Sequence, residues 1–165
     1  MQNAAEVSAL DRAEFTRSLG QVFEHAPWVA ARTWAKRPFA TREELHAALC
    51  ATVTSATDEE KLGLIRAHPD LVANVALTKE SRSEQASAGL SNLSPEEVAL
   101  FEKCNREYRE RFGFPFVICA RLNKKEAILR AFPERLKNSV EAERETALRE
   151  IFKIAELRLA ELVAP

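Results

Sequence analysis

His68 stands where an apolar helical pattern through Leu62, Leu64 and Ile65 must stop, because Pro69 disfavours helical geometry in the residue before it. A helix C-terminus carries partial negative charge and favours an imidazolium. A histidine there could hold a proton near neutral pH and release it. The plain alternative is a capping role at the last carbonyls. Arg158 falls between Ile151, Ile154 and Leu162, at the edge of the apolar stripe of the last helical segment. Either its stem lies on the core with its head in water or on a carboxylate, or its planar fork meets an anionic ligand in a cleft. Ser81-x-x-Glu84-Gln85 reads first as a capping box. A helix N-terminus also presents unpaired N–H groups suited to an anion, and Glu84 and Gln85 would add an acceptor and an amide. The run Phe112-Gly-Phe-Pro-Phe-Val-Ile-Cys-Ala120 is bulky, apolar and stiff. As an extended buried crossover it must find partners for its N–H and C=O groups. If no strand pairs with it, a bound ligand can do so.

The remaining reactive residue types carry less signal. Cys119 reads as a small core residue rather than a nucleophile, because no basic residue stands beside it before Arg121. His46 reads as a surface or core-edge residue in mid-helix, and His25 as a cap for the helix beginning at Pro27.

The elements that must position these groups are helices. The spacing of a Ser, Thr, Asp or Asn three residues before Glu recurs at Asp11…Glu14, Thr41…Glu44, Thr57…Glu60, Ser81…Glu84, Ser94…Glu97 and Asn123…Glu126. Pro95 fits the first turn of a helix ending near Gly113, and a last long helix runs from about Ser139 to about Val163. On that last helix Leu148, Ile151, Phe152, Ala155, Leu159 and Leu162 form the apolar stripe, with Lys153, Glu156 and Glu161 opposite. The expected fold is all-α: residues 1–165 as a single compact domain of about eight helices, with one extended crossover segment (Phe112 to Ala120) and residues 1–10 flexible.

Composition excludes several functions. The 24 basic and 25 acidic residues among 165 leave a net charge of −1, which argues against a general nucleic-acid binder. No run of apolar residues is long enough for a membrane span, and Met1 to Leu10 lacks the features of a secretory signal. Cys50, Cys104 and Cys119 are widely spaced, which excludes a disulfide framework and disfavours structural zinc. A reducing, intracellular setting is the default. No two of His25, His46 and His68 have the spacing of a helical metal motif.

Five stretches occur in order: Glu24-His-Ala-Pro-Trp28, His68-Pro-Asp-Leu71, Ser81-x-x-Glu-Gln85 followed by Ala88-Gly-Leu90, Phe112-Gly-Phe-Pro-Phe-Val-Ile-Cys-Ala-Arg121, and Glu150-Ile-x-Lys-Ile-Ala-x-Leu-Arg-Leu159. Together they resemble the 2-oxo-4-hydroxy-4-carboxy-5-ureidoimidazoline (OHCU) decarboxylases of uric acid breakdown, over about Glu24 to Leu162. The resemblance implies an all-helical, homodimeric, cytoplasmic enzyme that needs no metal or organic cofactor. It also implies a small anionic ureidoimidazoline as substrate, with no nucleic-acid or membrane partner. It places the catalytic roles on His68, Glu84 and Arg158. Substrate contacts fall on Pro69, on Ser81, Arg82, Ser83, Glu84 and Gln85, and on the backbone of Phe116, Val117, Ile118, Cys119 and Ala120. The connection from His68 to Ser81 is shorter than the family pattern suggests, which bears on the loop Val72 to Thr78. Two rivals remain at this level: a non-catalytic helical interaction module docking through the last helix or the Phe112–Ala120 segment, and a metal-dependent hydrolase acting on a ureide. The absence of clustered ligand residues weighs against the latter.

Overall fold

The computed structural model describes residues 1–73 and 76–165. Among these residues it holds nine α-helices and no strand beyond an isolated bridge between Gln2 and Val163. The all-α expectation holds. The loop Val72 to Thr78 is described apart from Asn74 and Val75, which lie outside the described residues. The chain forms two compact units.

The first unit comprises Met1–Ala67 and Phe152–Pro165. It holds α1 (Ala4–Ser8), α2 (Arg12–Leu19), α3 (Pro27–Thr33), α4 (Arg42–Thr54), α5 (Asp58–Arg66) and the C-terminal part of α9 (Val140–Leu162). Asp11, Thr41 and Thr57 each accept a hydrogen bond from the backbone N–H three residues on, as their spacing predicts. The first residues make defined contacts. Asn3 and Glu6 form a reciprocal capping box that starts α1, and the Ala164 N–H donates to Gln2 O at 2.9 Å. Phe15, Leu45, Leu49, Val53 and Leu159 fill the core. His25 does not cap α3: the cap residue is Ala26, without a side-chain bond, and His25 is exposed at φ +50°. His46 is half-buried, with Nε2 2.9 Å from the Phe152 carbonyl.

The second unit, His68–Ile151, holds α6 (Lys79–Ser87), α7 (Pro95–Phe112), α8 (Lys125–Leu136) and the N-terminal part of α9. Its core is aromatic. Tyr108 is fully buried, its ring edge-on to Phe116 at 5.2 Å and to Phe114 at 5.9 Å, while Phe116 stacks on Phe132 at 3.9 Å. Gly113 ends α7 in the left-handed region (φ +76°), which a glycine reaches without strain, and the chain then turns into the Phe114–Cys119 segment.

Two helix starts differ from the sequence expectation. Thr78, not Ser81, caps α6 and accepts from the Ser81 N–H at 3.1 Å, so Ser81 and Glu84 lie inside the helix. Asn123 does not cap α8 either: its Nδ2 donates to the Cys119 carbonyl at 2.9 Å, and Lys124 takes the cap position. In both places a competing local bond shifted the helix register by one to three residues.

Two stability tests follow from these contacts. Thr78→Ala removes the acceptor for the first turn of α6 and should cost about 1 kcal/mol in urea unfolding, with unchanged slope. Glu60 is held by the Arg32 guanidinium and by the Thr57 N–H, which lower its carboxyl pKa to about 2. Because the folded value is depressed, this stabilisation is present above the unfolded pKa and fades as pH falls from about 4.5 through 2. The gap in melting temperature between the wild type and Glu60→Gln should therefore close across that window, and should shrink in high salt because the pair is solvent-exposed.

Candidate active site

In the second unit, the stretch following His68 is pinned residue by residue. His68 itself is buried and Pro69 half-buried. Arg109 Nε donates to both carboxylate oxygens of Asp70 at 3.0 Å, Asn105 Nδ2 donates to the Leu71 carbonyl at 2.7 Å, and the Val72 N–H donates to Gln85 Oε1 at 3.1 Å. Val72 sits at φ +61°, costly for a β-branched residue, and the Gln85 bond helps hold it there. A histidine that leads directly into three anchored residues has little backbone freedom.

Gln85 brings α6 into this arrangement. Ser81, Glu84 and Gln85 are spaced i, i+3, i+4, so they share one face, and all three are buried. A short helix that turns three polar side chains inward departs from the usual apolar inner face. Because the Val72 N–H occupies the Gln85 oxygen, the Gln85 amide offers donors. Arg82 and Ser83 point the other way and are exposed.

The C-terminal end of α6 is tied to the start of α8 by Lys125 N–H on the Ala88 carbonyl (3.1 Å) and Lys124 Nζ on the Ser87 carbonyl (2.6 Å). This closes the unit around the segment Phe114–Ala120, every residue of which is buried. The segment has no strand partner among the described residues. Arg135 Nη1 donates to the Val117 carbonyl at 2.6 Å, Glu150 Oε1 accepts from the Cys119 N–H at 3.2 Å, and the Leu122 N–H and Asn123 Nδ2 donate to the Cys119 carbonyl. Among the described residues the Val117 N–H and both backbone polar groups of Phe114, Phe116 and Ile118 have no hydrogen-bond partner. Buried peptide groups left in that state cost roughly 1–3 kcal/mol each, and they are free to bond a ligand's polar edge. Burial raises the pKa of the Cys119 thiol, and the nearby Glu150 and Glu84 carboxylates raise it further, which keeps it a core residue rather than a nucleophile.

Arg158 belongs to the first unit. It is 4% exposed, so its head is not in bulk water. Nη2 donates to Glu24 Oε2 at 2.7 Å and Nη1 to the Gln21 carbonyl at 3.1 Å. The inward face of α9 runs Glu143, Ala147, Glu150, Ile151, Ile154, Ala155, Arg158 and Leu159. The stripe read from the sequence is rotated slightly from this. Leu148 and Phe152 are half-buried and Leu162 is 42% exposed, while three charged residues point inward.

Sequence reasoning singled out Arg158 but missed four buried charged residues: Glu24, which binds Arg158 in the first unit, and Arg135, Glu143 and Glu150, which hold the Phe114–Ala120 segment in the second. Glu143 and Glu150 carry a signal in retrospect, since acidic residues seven apart fall on the face that also carries Ile151 and Ala155. Among the described residues no group of three or more His, Cys, Asp or Glu side chains is placed to hold a metal ion, and no helix is long and apolar enough to cross a membrane.

The buried Arg158–Glu24 pair yields a direct expectation. Glu24→Ala removes the carboxylate that neutralises a buried guanidinium and should lower stability by about 3–5 kcal/mol in denaturant unfolding.

The OHCU decarboxylase family model matches residues 8–160. A 2-oxo-4-hydroxy-4-carboxy-5-ureidoimidazoline decarboxylase from Haloferax volcanii is 44% identical over 94% of this chain and 93% of its own length. One from Mus musculus is 38% identical over 96% and 91%. Among solved structures, an (S)-allantoin synthase superposes with a TM-score of 0.76 at 29% identity over 98% of this chain, which spans 54% of that chain. An OHCU decarboxylase crystallised in the presence of (S)-allantoin superposes with a TM-score of 0.72 at 25% identity, covering 94% of this chain and 100% of that one. The family match and the near-full-length relatives agree, and the chain belongs to the OHCU decarboxylase family.

Proposed function

We propose that the chain decarboxylates 2-oxo-4-hydroxy-4-carboxy-5-ureidoimidazoline to (S)-allantoin in uric acid degradation, with His68, Glu84 and Arg158 as its catalytic residues. The observation that carries this reading is the buried polar face of α6 in the same unit as a buried peptide segment with unpartnered N–H and C=O groups. A packed core has no use for such a combination. A small ring rich in amide, ureide and carboxylate groups does.

In the substrate one ring carbon bears both a hydroxyl and a carboxylate, beside a C=N carbon that carries the ureido arm. Breaking the bond to the carboxylate releases CO2 and sends its electron pair toward the C=N, whose nitrogen ends as N–H. The hydroxyl carbon becomes a carbonyl as its proton leaves, and the ureido-bearing carbon takes a proton on one face. Overall the carboxylate anion consumes one proton and gives CO2 and allantoin. The ring is its own electron sink, so the reading includes no metal or organic cofactor.

Three tasks remain for the protein: orienting the carboxylate out of the ring plane, stabilising charge on the ring, and delivering the proton from one side. His68, fixed by the anchored Asp70–Val72 stretch, is assigned the proton delivery. Arg158, whose fork is oriented by Glu24 and the Gln21 carbonyl, is assigned the charge stabilisation. Glu84 orients His68 or accepts from a ring N–H or the hydroxyl, and Pro69, Ser81, Gln85 and the Phe116–Ala120 backbone bind the ring and the ureido arm. Arg82 and Ser83 would take part through the backbone, since their side chains are exposed. The family resemblance extends the proposal to a cytoplasmic homodimer in which residues 1–165 act as one catalytic domain. The interaction-module alternative, docking through the last helix or the Phe112–Ala120 segment, has less support, because that segment is buried apart from Gly113 and Ile151, Ala155 and Leu159 of the last helix are buried as well.

The experiment generates the ureidoimidazoline in situ from urate and follows the circular dichroism of allantoin. The wild type should give one enantiomer faster than the spontaneous reaction gives racemate. His68→Asn should fold normally and lose roughly 10²–10⁴-fold in kcat. Arg158→Lys should lose roughly 10²-fold, because a point charge does not replace a fork. Slow racemic product with the wild type refutes the reading, and near-wild-type turnover by His68→Asn removes the histidine from its role.

A further inference from the structure

We propose that Arg135, locked onto Glu143, is a positioning residue for the substrate: it fixes the Val117–Ile118 peptide plane so that the Ile118 N–H is aimed as a hydrogen-bond donor at the amide or ureide edge of the bound ring. The proposal rests on the decarboxylase reading and deepens it.

Arg135 lies on α8 and is 8% exposed. Its Nε donates to Glu143 Oε1 at 2.5 Å, and its guanidinium carbon lies 4.2 Å from the Phe116 ring centroid. Glu143 is fully buried and also accepts from the Tyr108 hydroxyl at 2.6 Å and from Asn138 Nδ2 at 2.9 Å. The arginine is therefore held by a carboxylate, an aromatic face and a helix at once. Its other bond is not to another side chain but to a single backbone atom, the Val117 carbonyl at 2.6 Å.

Peptide geometry gives that bond its consequence. The Val117–Ile118 bond is trans, so the Val117 C=O and the Ile118 N–H project from opposite edges of one plane. Anchoring the carbonyl on Arg135 aims the Ile118 N–H away from Arg135. Glu150 does the same for the next plane: it accepts the Cys119 N–H, so the Ile118 C=O points away from Glu150. Charged side chains thus hold the peptide planes on both sides of Ile118, whose own N–H and C=O, like those of Phe114 and Phe116, have no partner among the described residues; of these three, Ile118 is the one with both flanking planes held by charged side chains. A donor and an acceptor on one residue match an N–H and C=O of an amide or ureide. Stability alone does not call for such a pair, because well-packed apolar residues commonly replace a buried ion pair without loss.

The test uses Arg135→Lys, whose single ammonium can meet Glu143 or the Val117 carbonyl but does not reproduce the fork. The expected result is a KM for the ureidoimidazoline raised about tenfold, the worth of one binding hydrogen bond, with kcat within threefold and a folded far-UV spectrum. A second readout is independent of turnover. Allantoin added to 15N-labelled wild type should shift the Ile118 amide resonance, and the shift should be lost in Arg135→Lys. Should Arg135→Lys not fold, the double variant Arg135→Met, Glu143→Gln leaves no unpaired buried charge and should show the same KM rise. Wild-type KM and amide shift in a folded variant, or a lowered melting temperature with both unchanged, assigns Arg135 to stability and overturns the inference. So does failure of both variants to fold. A wild type that shifts Ile118 with allantoin but does not turn over the ureidoimidazoline overturns the decarboxylase reading and leaves the positioning role standing.

Discussion

A stretch of backbone buried without a strand partner must still satisfy its N–H and C=O groups, and the second unit is arranged around that constraint at Phe114–Ala120. Arg135 on α8 and Glu150 on α9 take the Val117 carbonyl and the Cys119 N–H, while Asn123 turns from its expected cap to the Cys119 carbonyl. The aromatic packing of Tyr108, Phe116 and Phe132 keeps water away from these bonds, which strengthens each of them and makes any group left unpaired more costly. What is left open at Ile118 is therefore selected by what its neighbours close.

The same logic operates in the first unit on a single side chain. Arg158 is buried, and Glu24 together with the Gln21 carbonyl determines where its fork points. A guanidinium in that setting loses little rotamer freedom when it meets a planar anion, because the protein has already restricted it during folding. The inward charges of α9 divide the work: Glu143 and Glu150 serve the backbone segment of the second unit, and Arg158 serves the first.

Much of this was legible in the sequence, and the rest was hidden for identifiable reasons. Asp11, Thr41, Thr57 and Ser94 cap as their spacing predicts, since cap chemistry is local. Ser81 and Asn123 have the same spacing and do not cap, because Thr78 and the Cys119 carbonyl offered better bonds that spacing does not reveal. The displaced cap at Ser81 matters, since it leaves Ser81 and Glu84 without the simple explanation that the capping box supplied. The unusual character of His68, Arg158 and Phe112–Ala120 was readable from residue type against position. Arg135 and Glu143 were not: each looks like an ordinary helix-surface charge until the partner from another element is known.

The inward face of α6 carries a further consequence. A nine-residue helix gains most of its stability from apolar burial, and this one turns Ser81, Glu84 and Gln85 inward instead. Its end of the second unit should sit low on the scale of local opening energies, with amides that exchange with solvent sooner than those of α7. Binding of a ring to that face would then be thermodynamically linked to the order of the helix, so that part of the affinity is spent on closing it.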